Sequence, residues 1–565
     1  MKDTIIYGNI YTMDGEAAAG PASENSGSGS GDAEAAAGRR VEAMGISGGK
    51  VVFTGTREEA AAFDADEVID FGDKTILPGF IDTHVHVIPS GIFMNGADLS
   101  KAEDLTDVLI TIEEHAKTVK PKGWILAAFF QDKLIKEKRF PTKKELDGIS
   151  KTQPVLVCHN DLHPLAMNSK ALEILKVDPS IEGVRTDDNG EMTGIIEDPA
   201  CMDMLAEILG KLGIANILDG IIRVDEYAVS HGVTTVFGKD VLDVLFLTDL
   251  ARDILKAEFI PMWYSDGCED IESIQKIVKN RSKRIRKACV CAFADGAFDG
   301  HSAAMAEPYT DRPDTCGIFN YTDDEMYDFT MAAHKEGLQV SFHAIGDAAI
   351  DQVLRVYERV LDDCPREDHR LRIEHFEEPT KEAIEKAARL NVALGMQPLL
   401  IEVCEGMDFS GYECFIGDRV KRCSPYRSVL DAGILVGGGT DYTVTPMEVM
   451  RSAMICMTHP VESERITLDE CLAMNTSEAA KLGFLEDRKG KLKIGMDADF
   501  VVLDRDPHDV AAESVEALAD IKVLNTFRLG RMVYDRDTYK PSRKKTLPGA
   551  LLSIATGKVS KLLKR

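Results

Sequence analysis

The chain has 565 residues, of which 44% are hydrophobic and 28% are charged. This length suits one large catalytic domain with a smaller one, and the hydrophobic share is enough for a sizeable core. The formal net charge of −29 argues against nucleic acid or an anionic membrane as a main partner, because such a charge repels phosphate groups.

The sequence also lacks the usual signals for export or membrane insertion. Its first residues form a broken apolar stretch that makes a poor signal peptide, MKDTIIYGNIYTMDG, and no run of about 18 uncharged apolar residues predicts a transmembrane helix. The 12 cysteines are scattered without a CxxC pair, which favours reduced thiols over a disulfide framework. We therefore expect a cytoplasmic protein.

Residues 1–75 have the pattern of short strands. Alternating apolar residues occur in TIIYGNIYTM, VEAMGISGGKVVFTG and EVIDFGDKTILPG, and together with the Gly-Gly turn they predict a small antiparallel sheet. Residues 15–38 are rich in glycine, serine and alanine. Because such residues cannot bury a core, this segment is predicted to be a disordered loop.

Residues 76–485 follow a different pattern, in which short β-rich runs alternate with stretches of helical spacing. The runs include PVLVCHND, TTVFGKD, LQVSFHAIGD, LRIEHFEEP and ILVGGGTD, whereas segments such as DDEMYDFTMAAHKEG show a period near 3.6 residues. Repeated strand–helix units imply a parallel sheet, and about eight of them predict a (β/α)8 TIM barrel. The predicted fold class is therefore α/β.

The last part of the chain returns to strands and then becomes basic. Residues 486–539 contain the strand patterns GKLKIGMDADFVVLDRD and IKVLNTFRLGRMVYD, which are predicted to complete the N-terminal sheet. Residues 540–565 carry lysine and arginine but no acid. Because the rest of the chain is strongly acidic, this tail is expected to dock on the protein itself rather than on a membrane.

Two histidines one residue apart raise the question of a metal site. His84 and His86 end the run PGFIDTHVH. In a strand they would point to the same face, about 6–7 Å apart, and two neutral imidazoles at that distance can share a divalent ion. Taken alone, the pair is weak evidence for a metal, because ordinary polar residues also occur at the ends of strands.

Polar side chains stand at the C-terminal ends of many of the β-rich runs. In a barrel these ends gather at one face, where the chemistry of such folds takes place. Four histidines and one aspartate among them predict a site for zinc or another borderline divalent ion. The residues concerned are His84, His86, Lys239, Asp295, His343, His375, Gln397 and Asp441.

The chemistry of such a site follows from the ion and one carboxylate. A divalent ion lowers the pKa of bound water, which can then attack a substrate carbonyl as hydroxide. Asp441 is the candidate general base and acid, because an unshared carboxylate can accept the water proton and pass it to a leaving nitrogen. The alternative for Asp441 is a structural role at the start of a helix.

Several motifs together carry a resemblance to a known family. PGFIDTHVH, HAIGD, RIEH and GGTD, followed by GKLKIGMDADFVVLD, resemble the amidohydrolase superfamily, and more narrowly the branch that includes N-substituted formamide deformylases. FPTKKELD, HNDLHPLAMNSKAL and ITLDECLAMNTSEAA extend the resemblance, in order, over nearly the whole chain. It implies a metal-bearing barrel, a small β-sandwich built from both termini, and hydrolysis of a C–N bond in an amide.

The resemblance also implies roles for individual residues. The metal histidines of the family correspond to His84, His86, His343 and His375, and its essential aspartate corresponds to Asp441. Asp441 and His375 are accordingly the predicted catalytic residues.

One position departs from the pattern of the family. Many relatives carry a carboxylated lysine that bridges two metals, where this chain has Cys291. Three explanations stay open: Cys291 bridges as a thiolate, Lys239 supplies a carbamate from another strand, or one metal is held by the histidines and Asp441 with His375 assisting. Cys291 as a plain core residue and Lys239 as a salt-bridging residue are the structural alternatives.

A further set of residues is predicted to face the substrate. Asp161 and His163 lie in the motif HNDLH, and Asp295, His301 and Gln397 follow other β-rich runs. Each of these side chains could instead stabilise a loop.

These observations lead to one expected function with two alternatives. The expected protein is a metal-dependent hydrolase with one or two Zn²⁺ per chain that cleaves a C–N bond of a small organic amide or N-substituted formamide. The alternatives are a mononuclear deaminase or cyclic-amide hydrolase of the same superfamily, and a catalytically inactive binding member. The resemblance also allows a homodimer, since dimers are common among similar proteins.

Overall fold

The computed structural model describes most of the chain. The loop predicted at 15–38 lies outside the described residues from residue 16 on, as do Asp161, His163 and the tail beyond residue 540. The structure describes residues 2–15, 40–160, 164–197, 200–241, 255–264, 271–280 and 289–540.

The described residues form three sheets and a series of helices. In chain order the strands are β1 (Thr4–Tyr11), β2 (Arg40–Ser47), β3 (Lys50–Gly55), β4 (Glu67–Pro78), β5 (Phe80–Val85), β6 (Ala97–Asp98), β7 (Ile125–Phe130), β8 (Val155–His159), β9 (Leu165–Met167), β10 (Val184–Thr186), β11 (Met192–Ile196), β12 (Val233–Val241), β13 (Glu258–Tyr264), β14 (Cys289–Phe293), β15 (Gln339–Ala344), β16 (Arg372–His375), β17 (Ala393–Met396), β18 (Val436–Gly438), β19 (Phe500–Leu503), β20 (Val523–Arg528) and β21 (Arg531–Asp535).

The helices connect these strands and vary in length from one turn to nearly five. The α-helices span Arg57–Ala60, Val87–Phe93, Leu105–Ala116, Lys143–Ile149, Ser169–Leu175, Ala200–Leu212, Ile214–Ser230, Ile271–Asn280, Asp323–Lys335, Asp347–Asp363, Lys381–Arg389, Glu413–Ile416, Tyr426–Asp431, Val449–Met457, Leu468–Met474, Ser477–Leu482 and Pro507–Glu513. Short 3₁₀ helices span Asp132–Leu134, Gly417–Arg422, Glu462–Glu464 and Glu516–Asp520, and a π-helical turn spans Ile401–Glu405.

The barrel is an eight-stranded sheet in the order β5, β12, β13, β14, β15, β16, β17 and β18, with parallel pairing throughout. A parallel bridge between Val85 and Tyr442 joins the first strand to the segment that follows the last one. Every residue of β5, β15 and β16 is buried, as expected of strands covered on both faces. The predicted α/β fold with a TIM barrel is confirmed.

Several helices begin with a capping motif that is visible in the sequence. Thr322 begins the helix Asp323–Lys335 as its N-cap: the Thr322 side chain accepts from the backbone N–H of Glu325, and the Glu325 carboxylate accepts from the backbone N–H of Thr322. This reciprocal pair satisfies two donors that the helix leaves open. The helices Lys143–Ile149 and Leu468–Met474 begin in the same way. The helix Asp323–Lys335 returns the chain so that β15 adds to the barrel.

Strands from both ends of the chain share a seven-stranded sheet, in the order β21, β20, β19, β4, β1, β2 and β3. The sheet is not wholly antiparallel, because β1 and β4 pair in parallel. The β2–β3 hairpin occupies one edge of β1, so the chain crosses to the other edge and returns in the direction of β1. The domain boundaries predicted at residues 75 and 485 stay predictions.

A third sheet was not predicted. Six strands in the order β10, β11, β9, β8, β7 and β6 form it, and they lie in the chain between the first two barrel strands. The run PVLVCHND, which was expected among the barrel strands, is β8 of this sheet, so that expectation was wrong. A buried apolar run has the same sequence pattern in either sheet. None of the helices in the described ranges has both the length and the apolar character that crossing a membrane requires.

A charged contact joins the seven-stranded sheet to a helix that follows the barrel. The ring of His508 stacks on Tyr11 of β1 with centroids 4.8 Å apart, and its Nε2 lies 2.8 Å from Oδ1 of Asp469. Its Nδ1 lies 3.4 Å from Oδ1 of Asp506. Burial alone would lower the pKa of His508, but Asp469 and Asp506 outweigh it and raise the pKa to about 9.

This contact predicts a pH dependence of stability. Because the pKa of His508 is higher in the folded state than in the unfolded chain, its stabilisation is complete below about pH 6.5 and is lost as the pH rises through about 9. His508→Gln is expected to lower the free energy of unfolding by about 1–2 kcal/mol at pH 6 and by much less at pH 10. Urea unfolding of both proteins at the two pH values measures this, and an equal difference at both would contradict it.

Candidate metal centre and active site

Five predicted residues meet at the C-terminal end of the barrel. His84 lies in β5 and His86 directly follows that strand, whereas His343 lies in β15 and His375 ends β16. Asp441 comes shortly after β18, and its backbone N–H donates to the carbonyl of His84 over 2.8 Å. His84, His343, His375 and Asp441 are buried, and His86 is nearly so. The site is therefore assembled from the first, fifth, sixth and eighth barrel strands.

Three of these residues converge on one point. His84, His375 and Asp441 each offer a ligand atom, and these atoms all lie within 4.8 Å of one another. Oδ1 of Asp441 lies 3.2 Å from Nε2 of His84 and 3.1 Å from Nε2 of His86. Two imidazoles and a carboxylate in this arrangement form the ligand set typical of a catalytic zinc site, which leaves one position open.

The convergent atoms also lack hydrogen-bond partners. Nε2 of His84, Nδ1 of His375 and Oδ1 of Asp441 are buried and make no hydrogen bond within the described part of the chain. Buried polar atoms are nearly always satisfied in folded proteins. A divalent ion would satisfy all three atoms at once, so the residues present fit such an ion.

His86 and His343 lie beside this group of three. The ring centroid of His84 is 5.4 Å from that of His86, and the centroid of His375 is 4.5 Å from that of His343. Nε2 of His343 is 3.1 Å from the carbonyl oxygen of Gly296. His343 is thus close to the centre, but one of its ring nitrogens already has a polar neighbour.

Backbone conformation decides where His375 points. Glu374 directs its side chain into the barrel, so by the alternation of a strand the next residue would point outward. His375 instead has a φ of 68°, in the left-handed region, and its ring lies 5.0 Å from that of His84. Asp441 also has a positive φ, of 53°. Non-glycine residues in this region are strained and cluster at functional sites.

The buried ion pair of Arg372 and Glu374 orients the ring of His84. Nδ1 of His84 lies 2.8 Å from Oε2 of Glu374, so the ring proton sits on Nδ1 and the Nε2 lone pair faces the centre. Glu374 also accepts from Nη2 of Arg372 over 2.9 Å and from the hydroxyl of Ser341 over 2.6 Å. A Cβ at Gly395 would lie 2.4 Å from both Arg372 and Glu374, so only glycine leaves room for the pair.

Asp82 ties the first barrel strand to the last. Its carboxylate accepts from the backbone N–H groups of His84 and Thr440, each over 3.1 Å, and from the hydroxyl of Thr440 over 2.5 Å. The chain passes so close here that a Cβ at Gly439 would lie 2.7 Å from Cβ of His84. Asp82 thereby fixes the distance between His84 and Asp441.

The ionisation states suit a metal. Burial lowers the pKa of His86, lowers that of His343 well below its usual range, and lowers that of His375 to about 3. Burial would raise the pKa of Asp441, but the imidazoles of His84 and His86 hold it well below its usual range. At neutral pH His86, His343 and His375 are therefore neutral and Asp441 is ionised, which are the forms that bind metal.

The two candidate bridging residues, Lys239 and Cys291, lie on different barrel strands. Lys239 in β12 is 3% exposed, and its Nζ lies 5.4 Å from the ring centroid of Phe293. Cys291 is fully buried among apolar side chains such as Met262. It pairs with Ser341, two residues before His343, and therefore lies about 6–7 Å below the histidines. The group of three does not include Cys291, and the bridging roles of both residues stay predictions.

The substrate-facing candidates have different surroundings. Gln397 follows β17, and its side-chain nitrogen lies 3.2 Å from Nδ1 of His84. Asp295 accepts from the backbone N–H groups of Ala304, Ile345 and Gly346 over 2.9–3.1 Å, so its oxygens hold loops at the barrel mouth.

His301 lies further from the metal centre. Its Nε2 pairs with Asp311 over 2.9 Å, and its ring packs edge to face with Tyr309. In the described chain it makes no hydrogen bond or ring contact with the metal residues. Its role in substrate binding stays a prediction.

Sequence reasoning missed the residues that position the ligands. Glu374 stands inside RIEH and Asp82 inside PGFIDTHVH, next to residues that were chosen as ligands. Each is an acid within a β-rich run that is otherwise apolar. Because Asp and Glu are rarely fully buried unless paired, this placement was the available signal.

Comparison with known proteins agrees with the fold and the site, which together define a metal-dependent hydrolase. A family model described as the amidohydrolase family matches residues 67–534. The chain belongs to the amidohydrolase family and is a hydrolase that acts on C–N bonds.

Similar proteins include the N-substituted formamide deformylase of Arthrobacter pascens, 28% identical over 88% of this chain and 95% of that protein. Protein LONG AFTER FAR-RED 3 of Arabidopsis thaliana is 27% identical over 87% of this chain and 88% of that protein. The crystal structure of an uncharacterized metal-dependent hydrolase from Pyrococcus furiosus superposes with a TM-score of 0.70 and 25% identity, covering 89% of this chain and 99% of that one.

Proposed function

We propose that the protein hydrolyses the C–N bond of a small organic amide, with N-substituted formamides as the first class to test. The observation that carries this proposal is the convergence of His84, His375 and Asp441 within 4.8 Å, with unpartnered atoms facing one point. The similarity to a formamide deformylase supports the choice of substrate class.

Each residue has a defined part in this reaction. A divalent ion, zinc in our proposal, would be held by His84, His375 and Asp441 and supply a Lewis acid for the substrate carbonyl together with an activated water. Asp441 is ionised and accepts the water proton, which it returns to the leaving nitrogen. His86, whose Nε2 lies 3.1 Å from Oδ1 of Asp441, stands beside that carboxylate as a further candidate ligand.

The metal content of the purified protein is the first prediction to test. We expect one divalent ion per chain by elemental analysis after purification without chelator, and loss of activity on chelation that zinc restores. Two ions per chain would point to a bridging ligand and make Cys291→Ala and Lys239→Ala the next variants. No metal, with no uptake of added zinc, would contradict the proposal and favour an inactive binding protein.

The substrate class is tested by product release. The zinc-loaded enzyme is incubated with N-alkyl formamides, the matching acetamides and a panel of amino-substituted heterocycles, and formate, acetate and ammonia are measured. Formate release that exceeds acetate release supports the proposal. Ammonia release alone would replace it with a deaminase. The homodimer and the cytoplasmic location stay predictions.

A further inference from the structure

The segment after His375 buries an acid that has no ion-pair partner among the described residues. Glu377 follows His375 by two residues and is only 2% exposed. Neither of its carboxylate oxygens makes a well-aligned hydrogen bond within the described part of the chain, where the Tyr412 phenol is its hydrogen-bonding neighbour. Burying a polar group without a partner costs several kcal/mol in general, and a charge costs more. A fold that keeps this acid buried is expected to provide it with a partner from outside the chain.

A second buried acid lies beside it. Glu405 ends the π-helical turn Ile401–Glu405 and is 1% exposed. Ser424 links the two residues, because its backbone N–H donates to the carbonyl of Glu377 over 2.7 Å and its hydroxyl donates to Oε1 of Glu405 over 2.5 Å. We refer to Glu377, Glu405, Ser424 and the neighbouring Tyr412 as the Glu377–Glu405 cluster.

Tyr412 lies near both acids. Burial, the charge of Glu377 and, more weakly, that of Glu405 raise the pKa of the Tyr412 phenol well above its usual range. Its ring also packs edge to face with Phe298, with centroids 4.9 Å apart. The cluster therefore combines two acids with aromatic faces.

The basic residues nearby are paired with other acids. Arg422 pairs with Glu378 and lies 3.6 Å from Asp347. Over the ranges that the structure describes, no lysine, arginine or histidine nitrogen forms an ion pair with Glu377 or Glu405. The cluster thus has acids without a counter-charge.

The composition of the cluster favours an organic cation over a metal ion. Hard metal ions take six or more oxygen ligands. Among the described residues, the ligand atoms close enough to hold a metal ion belong to His84, His375 and Asp441, and they include neither acid of the cluster nor the nearby thiol of Cys423. Carboxylates beside aromatic rings instead suit an ammonium group, which gains both ion pairing and attraction to the ring faces. Glu377 follows His375 by two residues, so their Cα atoms lie within about 7 Å of each other and the cluster is next to the metal centre.

We propose that the Glu377–Glu405 cluster binds a protonated amine of the substrate, so that the enzyme acts on amides with an ammonium group a few carbons from the scissile bond. This inference rests on the proposed function, because its test measures the hydrolysis of amides. It adds the chemical feature by which the enzyme chooses among amides.

A matched pair of substrates tests it. N-(4-aminobutyl)formamide carries the ammonium group, and N-pentylformamide has a methyl group in its place. The zinc-loaded wild-type enzyme is expected to prefer the first by about 100-fold in kcat/KM. Glu377→Gln and Glu405→Gln should each remove most of that preference while leaving kcat/KM for the neutral substrate within a few-fold. Glu413→Gln, an exposed acid on a nearby helix, should keep the preference.

Circular dichroism and metal content establish that each variant is folded and loaded. Equal hydrolysis of the two substrates by the wild-type enzyme would overturn the inference, as would a preference that survives in both variants.

If neither formamide is hydrolysed, the proposed function fails separately and calorimetry decides about the cluster. Binding of n-butylammonium that disappears in Glu377→Gln would still support the ammonium site. No binding, or binding of Na⁺ or Ca²⁺ in its place, would overturn it.

Discussion

Asp441→Asn is expected to lower kcat by about 10²–10⁴-fold. Oδ1 of Asp441 lies 3.2 Å from Nε2 of His84 and 3.1 Å from Nε2 of His86, and no described donor satisfies it. An amide in its place is a weaker metal ligand and cannot accept a proton. The loss should therefore appear in kcat under saturating substrate, and metal affinity should also fall.

The measurement separates these two effects. Metal content by elemental analysis shows how far the variant is loaded, and kcat is then measured at a zinc concentration that restores full loading. Asp188→Asn, in an exposed turn far along the chain from the site, should keep the wild-type kcat. A fully loaded Asp441→Asn enzyme with wild-type kcat would show that another group moves the proton.

Glu374→Gln is expected to lower the free energy of unfolding by about 3–5 kcal/mol. Arg372 and Glu374 are both fully buried, and the substitution leaves the guanidinium without its counter-charge. The same change weakens the acceptor for Nδ1 of His84, so metal affinity should fall about 10–100-fold. Urea unfolding of the metal-free protein measures the first effect, and zinc titration measures the second.

A double variant distinguishes the charge from the packing. Arg372→Met with Glu374→Leu removes both charges, and replacing a buried ion pair by apolar residues is often neutral or stabilising. The double variant should therefore be more stable than Glu374→Gln alone, although its metal affinity stays low. A Glu374→Gln protein as stable as the wild type would mean that water compensates the buried guanidinium.

The sequence was informative where periodicity and position carry the signal. Repeated strand–helix units predicted the barrel, and the rule that active sites gather at the C-terminal strand ends brought together His84, His375 and Asp441. Strand pairing between distant segments was also visible in outline, because strand patterns occur at both ends of the chain. These features depend on local composition, which one sequence displays directly.

Other features depend on tertiary context and leave no local pattern. His375 reaches the centre through a left-handed φ of 68°, whereas ordinary alternation would turn it away. The run that forms β8 has the same apolar pattern as a barrel strand, so only its partners assign it to the separate six-stranded sheet. The resemblance placed Cys291 where relatives carry a bridging lysine, but its position within the barrel follows from its pairing with Ser341.

The place of β4 in the seven-stranded sheet has a consequence for biosynthesis. β4 lies between β1 and β19, and its residues Thr75–Pro78 pair with Phe500–Leu503. On the ribosome, about 420 residues separate the emergence of these partners, or roughly 20–85 s at the usual rates of synthesis. Throughout that interval the nascent chain presents an unpaired apolar edge, which is a template for aggregation. Chaperone demand should therefore peak before the last strands leave the exit tunnel.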